Sequence, residues 1–194
     1  MGASILPVTL YKNKVLFLFG KERTIDENPG WSDFGGGTDK GETFIQTAIR
    51  EGGEELTGFL GNDTDIKKLL QAYGTYTLDY NSNTHSTYRC HIFPLEYDSR
   101  LPFYYNNNQQ FLQKRLDKKV ISDTKIFEKT QIKWFSFDEI KKDRNRFRSF
   151  YKNIIDLLLQ NRLEIETFAK RSLLKNKNKN TMNKKTRNNK TKKK

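Results

Sequence analysis

The chain has 194 residues and carries 36 Lys or Arg against 23 Asp or Glu, a formal net charge of +13, while hydrophobic residues make up only 35% of it. That length supports one domain with a substantial core, provided that much of the charge lies outside the core. The single cysteine, Cys90, excludes an intramolecular disulfide framework and fits a reducing compartment; no signal peptide is legible and no apolar run approaches the roughly 18 residues of a membrane span, so a soluble, intracellular, cytoplasmic protein without integral membrane association is expected.

In chain order, 5–10 and 14–19 read as strands of a hairpin, and 22–30 as a polar loop. Gly35, Gly36 and Gly37 then permit a close, left-handed backbone path. A helix is expected over 40–56, opened by a capping box from Asp39 to Glu42 and carrying Phe44, Ile45, Ala48, Ile49 and Leu56 at helical spacing. On it Glu51, Glu54 and Glu55 stand at i, i+3 and i+4, so the three carboxylates share one side and repel one another unless a cation lies among them. A hard, oxygen-seeking ion such as Mg²⁺ or Mn²⁺ meets that need and bridges to substrate phosphates. Glu42 and Arg50 read as helix-stabilising partners. An acidic triplet alone is ordinarily a solvated helix face; the glycines before it, with Glu42 and Arg50 at their spacings, favour a site.

Beyond this helix, 64–71 reads as a short helical or extended segment, 73–80 and 84–95 as strands, and 106–119 as a helix; Phe103, Tyr104 and Tyr105 fall in a loop before it. A late strand is expected at 132–137, then one long helix or two over 146–171 with Phe147, Phe150, Tyr151, Ile154, Ile155, Leu158 and Leu159 on its apolar side. The alternation implies a sheet packed between helices. Residues 171–194 contain 11 Lys or Arg and no acid, leaving 25 basic groups against 23 acidic ones in a nearly neutral body of 1–170. Such a Lys/Asn tail buries no apolar surface and is expected to be disordered, with salt-dependent attraction to RNA or another polyanion as its physical use.

Residues 36–58, GGTDKGETFIQTAIREGGEELTG, closely resemble the signature of the Nudix hydrolase family: Gly36, Glu42, Arg50-Glu51 and Glu54-Glu55 match in identity and spacing. Gly52 departs where an aliphatic residue is expected, and Thr57 replaces the closing glycine, which arrives as Gly58. The likeness extends over about 5–160 through Trp31-Ser32-Asp33-Phe34 and Trp134-Phe135-Ser136-Phe137-Asp138-Glu139.

The resemblance implies an α/β fold, an α/β/α sandwich with a mixed β-sheet, and a Mg²⁺- or Mn²⁺-dependent pyrophosphohydrolase acting on a nucleoside diphosphate linked to another moiety. It further implies Glu54 and Glu55 as the main metal holders, Glu51 as ligand or water-orienting base, and the Gly35 carbonyl as an added ligand. A later acid outside the motif serves as base in many members: Glu128 is the candidate, with Glu139 and Glu96 as alternatives. Arg23, Tyr76, His85, Arg89 and Tyr105 are the candidates for gripping the rest of the substrate. Capped RNA (an mRNA decapping activity, with the basic tail guiding RNA), a dinucleoside polyphosphate or a diphosphoinositol polyphosphate all fit, and a non-catalytic RNA-binding module on the same fold is the contrasting reading.

Overall fold

The computed structural model describes residues 1–23, 29–82, 86–124 and 127–174. Strand β1 (Gly2–Tyr11) turns into β2 (Lys14–Glu22) through Lys12 and Asn13, both at positive φ (47° and 63°), the two-residue reversal that suits strand twist. The strands pair only from Val8 to Tyr11 and then part. Strand β4 (Phe34–Gly37) takes the place of β2 beside Gly2–Ile5, and β3 (Trp31–Ser32) pairs with the far end of β2. On the other side of β1 lies β6 (Thr87–Pro94), parallel to it, with β5 (Tyr76–Asn81) antiparallel beyond; β7 (Lys129–Ser136) runs antiparallel to β2. The sheet is therefore mixed, as expected.

Helices cover both faces. Ala3, Ile5, Leu18, Phe34, Phe93, Ile132 and Trp134 of the sheet form one core with Ala48 and Ile49 of α1 (Phe44–Glu55), Ile66 and Leu70 of α2 (Asp63–Tyr73) and Tyr105 of α3 (Arg100–Arg115). Leu6, Val8, Phe17, Phe19, Ile92 and Phe135 form the second core, with Tyr151, Ile154, Ile155 and Leu158 of α6 (Tyr151–Gln160) and with Ile165 and Ala169 of α7, residues 162–174. The short helices α4 (Lys118–Asp123) and α5 (Phe137–Lys142) complete the α/β/α sandwich.

Several boundaries move. Helix α1 begins at Phe44 because Thr43 is its cap, its N–H donating to the Gln46 side chain at 2.9 Å; Glu42 reaches back to the Asp39 N–H at 3.1 Å before the helix starts. The helix expected over 106–119 is two, α3 and α4, broken at Leu116–Asp117, and α3 begins early enough to include Phe103, Tyr104 and Tyr105; Pro102 is accommodated in its first turn, where a missing N–H leaves no intrahelical bond unmade. The segment 64–71 is helical, and the late helix divides at Asn161. The folded body extends past the expected limit of 170, since α7 runs to 174 and Leu173 is buried; the rest of the basic tail, 175–194, lies outside the described residues. Among the described residues no helix is long and apolar enough to cross a membrane.

The two departures from the signature have local causes. A Cβ on Gly52 would stand 2.3 Å from Cδ1 of Ile5, so the space that an aliphatic side chain would take on α1 is filled from β1. Thr57 follows the C-terminus of α1 at φ 48°, the left-handed region that a β-branched residue resists, and its buried hydroxyl has no hydrogen-bond partner among the described residues. Thr57→Gly is accordingly expected to raise stability by about 1 kcal/mol. Gly52→Val should cost about 1–3 kcal/mol by overpacking. Combined with Ile5→Ala it should cost clearly less than the sum of the two single changes. Urea unfolding of the four variants measures both, and strict additivity of the pair would contradict the proposed exchange of volume.

Candidate active site

Helix α1 meets the sheet at the glycine strand β4. None of Gly35, Gly36 and Gly37 has a positive φ; they are extended, and close approach rather than a left-handed turn is what requires Gly35 and Gly36, whereas a Cβ on Gly37 would meet open space. A Cβ on Gly35 would meet Cβ of Ser4 at 2.3 Å, and one on Gly36 would meet the Glu51 carboxyl carbon at 2.6 Å. The Gly35 N–H donates to Oε2 of Glu55 at 2.8 Å, so the first and last glutamates of the triplet are both seated on this strand.

The expected partnership of Glu42 and Arg50 is present and forms a brace. Arg50 donates through Nε to Oε1 of Glu42 at 2.8 Å, through Nη2 to Oε2 at 3.0 Å and to the Gly37 carbonyl at 3.1 Å, while Nη1 donates to Glu51 at 2.8 Å and lies 3.7 Å from Glu54. Thr47 Oγ1 adds a bond to Glu42 at 2.8 Å. These bonds, led by Arg50, hold the Glu42 carboxyl down at about 2, and Glu42 in turn raises the Arg50 guanidinium. The brace ties the loop before α1 to the middle of the helix.

On the inner side, Glu55 meets a group that nothing in the motif announces. Lys129 of β7 is fully buried; its ammonium lies 3.2 Å from Oε1 of Glu55, pairs closely with Glu22 of β2 and donates to Ser32 Oγ at 2.8 Å. Glu22 also accepts from Ser32 at 3.0 Å and from Arg148 at 2.8 Å. Burial pushes the Glu55 carboxyl well above its ordinary value against the pull of Lys129, and the negative charges of Glu22 and Glu128 push the same way as burial. Burial alone would depress Lys129, yet Glu55 and Glu22 outweigh it and leave the ammonium raised. A buried ion of this kind persists only with full pairing.

The three glutamates therefore differ. Glu54 remains a third exposed, Glu51 shares one oxygen with Arg50, and Glu55 has both oxygens engaged by Gly35 and Lys129. All donors here are oxygens, and Glu51 with Glu54 fits part of the shell of a hard divalent cation. Among the described residues no group of three or more His, Cys, Asp or Glu is arranged to hold a metal.

The remaining candidates scatter. Glu128 adjoins Lys129 in sequence and lies near enough to Glu55 to raise its carboxyl. Glu139 caps α5 through Ser136, with its carboxylate accepting the Ser136 N–H at 2.8 Å, a structural engagement. Glu96 follows β6. Arg23 reaches the Ile121 carbonyl of α4 at 3.4 Å. Tyr105 is buried, not a stacking surface: its hydroxyl donates to the backbone carbonyls of Glu55 at 2.7 Å and Lys129 at 3.2 Å and so ties α3 to the end of α1. Tyr76 faces the opposite layer, bonded to Asn161 at 3.1 Å. Arg89 makes a two-pronged pair with Asp79, both bonds 2.7 Å, with its guanidinium over Phe44. His85 lies outside the described residues. A cavity of about 650 Å³ opens on the other flank of α1, between it and α2, with Glu42, Ile45, Ile49, Arg50, Lys67 and Leu70 in its wall. Sequence reasoning missed the charged group of Glu22, Lys129 and Arg148, which carry no motif, since a lysine in an alternating strand reads as solvent-facing, and it gave Ser32, quoted only within the Trp31–Phe34 likeness, no part in it.

This fold and this helix-on-glycine site define a recognised class, for the NUDIX domain model matches residues 2–158. The chain belongs to the NUDIX domain family. Among solved structures, a Caenorhabditis elegans Ap4A hydrolase in a binary complex is similar at 15% identity with a TM-score of 0.52, over 85% of this chain and 98% of that one. A bifunctional NMN adenylyltransferase/ADP ribose pyrophosphatase from Francisella tularensis, complexed with AMP and a manganese ion, is similar at 19% identity with a TM-score of 0.51, over 82% of this chain and 40% of that one. At these identities the likeness establishes the fold. No curated protein matches the chain.

Lys129→Met leaves Glu55 buried without its cation and Glu22 with Arg148 alone, and is expected to cost about 3–5 kcal/mol. Glu22→Gln together with Glu55→Gln should restore much of that loss in the same background, as read by urea unfolding; no restoration would place the loss in packing instead. For Glu42 the folded carboxyl titrates at about 2, below its ordinary 4.5, so the folded state binds fewer protons. The brace therefore stabilises fully above pH 4.5 and fades as the pH falls from there towards 2. In Glu42→Gln the acid limb of the stability profile should be shallower over that window, and a parent-like limb would count against the brace.

Proposed function

We propose that the chain is a divalent-metal-dependent pyrophosphohydrolase acting on a nucleoside diphosphate linked to another moiety. The observation that supports this most is the docking of α1 on the glycine strand, which seats Glu51 against Gly36, with Arg50 bonded to Glu51 and 3.7 Å from Glu54. A Mg²⁺ or Mn²⁺ ion held there would neutralise the pyrophosphate and acidify a bound water. Glu51 and Glu54 are assigned as its carboxylate ligands, with the Gly35 carbonyl as a further oxygen donor. Arg50 fixes the orientation of Glu51, and Lys129 fixes Glu55 against the sheet. Glu128, near Glu55, is the proposed proton acceptor. Coupled carboxylates share their titration, so the acceptor is to be assigned by kinetics rather than by one group's pKa.

The phosphoanhydride substrate classes compatible with this chemistry are capped RNA, dinucleoside polyphosphates and diphosphoinositol polyphosphates; the Ap4A hydrolase likeness supports the second and the basic composition the first. The test is product mass analysis of parent and Glu54→Gln protein with Mg²⁺ or Mn²⁺ and these substrates, together with nucleotide sugars and nucleoside triphosphates. The parent should release a nucleoside mono- or diphosphate from a nucleotide substrate, or inorganic phosphate from a diphosphoinositol polyphosphate, and Glu54→Gln should be slower by about 100-fold or more, the scale of a lost charge-stabilising group. Equal rates in the two proteins would remove the proposed role of Glu54. Silence across the panel would favour a binding module.

A further inference from the structure

The outer face of α3 and α4 has a composition that the site does not use. Phe103, Tyr104 and Phe111 are 62%, 57% and 60% exposed, a costly display of large aromatic rings on one helix face. Phe103 and Tyr104 pack edge to face at 5.3 Å, and the Arg115 guanidinium lies over Phe111 at 5.6 Å. Asn107 and Gln110 lie exposed between the rings, Lys114 is exposed on the same helix, and Lys118 and Lys119 are exposed on α4 just beyond the break at Leu116–Asp117. Residues 100–124 hold five Lys or Arg against two Asp, and Arg100 is the one of the five engaged in an ion pair among the described residues. The opposite face of α3 carries Tyr105, bonded to the carbonyl of Glu55. The exposed face therefore lies about one helix diameter, roughly 10–12 Å, outward from the end of α1.

We infer that this face of α3 and α4 binds single-stranded nucleic acid, with Phe103, Tyr104 and Phe111 as stacking platforms and Lys114, Arg115, Lys118 and Lys119 along the phosphate backbone. Flat rings spaced along a strip of cations match a chain of bases on a polyanion, and the interleaved amides supply hydrogen bonds to base or sugar edges. A lipid surface would ask instead for a continuous apolar face, which Asn107 and Gln110 interrupt. The surface is made of residues 103–119 alone, and it stands whether or not the site is hydrolytic. If the site does cleave a nucleotide linkage, a strand on α3 delivers its end to that site from one helix width away.

The test is fluorescence anisotropy of a single-stranded RNA of about 15 nucleotides with the full-length chain, titrated across a series of salt concentrations. Phe103→Ala/Phe111→Ala should weaken binding by about 10-fold or more while leaving the salt slope unchanged, because no charge is removed. Phe103→Trp/Phe111→Trp should bind at least as well as the parent, which separates stacking from a fold defect. Lys114→Gln/Arg115→Gln should lower the slope by about 1.4, two phosphates' worth on a single strand. A loss of less than about 2-fold in the alanine pair would assign binding to the tail by charge alone and overturn the inference. So would loss of binding to phosphatidylserine vesicles, or of self-association in sedimentation, with RNA affinity intact, since the rings would then serve a membrane or a second copy.

Discussion

The contact on which the arrangement depends is the approach of α1 to the strand Phe34–Gly37. A side chain at Gly35 would collide with Ser4 of β1, and one at Gly36 with the carboxyl of Glu51. With hydrogens there, helix and sheet come close enough for the Gly35 N–H to reach Glu55, and the three glutamates acquire three different environments from one helical spacing. An acidic face that would otherwise be held apart from the sheet by its own repulsion and desolvation is drawn onto it by a backbone donor, a guanidinium and an ammonium. The cost of burying carboxylates is met by specific partners, as buried charge requires.

The two cations divide the work by depth. Arg50, partly exposed, organises the outer group of Glu42, Glu51 and Glu54 and the carbonyl of Gly37 with the planar fork that suits several acceptors at once. Lys129, wholly buried, presents a compact charge to Glu22 and Glu55 and connects β2 and β7 to α1. Arg148, from the segment before α6, closes the inner group at Glu22. Strands, helix α1 and the opposite helical layer are thereby joined by charge as well as by apolar packing, which makes the position of α1 a property of the whole domain. Tyr105 adds a neutral tie from α3 to the same point.

The motif residues were legible because their chemistry is local. Gly35, Gly36, Glu42, Arg50, Glu51, Glu54 and Glu55 lie within 21 positions, and the helical repeat sets which of them share a side. Apolar periodicity also placed the strands and most helices. It misjudged the left-handed turn at the glycines, since a three-glycine run permits both that turn and a close extended approach, and only the partner across the gap decides between them. It placed Phe103 to Tyr105 in a loop because Pro102 reads as a breaker, although a first helical turn accepts proline.

By itself the sequence determined the family signature and the alternation of strands and helices in a mixed α/β fold. These follow from spacing, periodicity and composition along the chain. Only the tertiary structure decided that Ile5 fills the space left by Gly52, that Tyr105 is buried while Phe103 and Phe111 are exposed, and that Lys129 sits between Glu22 and Glu55. Glu22 and Lys129 are 107 positions apart, and their pairing exists because β2 and β7 are neighbours in the sheet. Which ion a carboxylate meets, and whether an aromatic ring faces core or solvent, depends on what folding brings opposite it, and that information is not carried in any local stretch of residues.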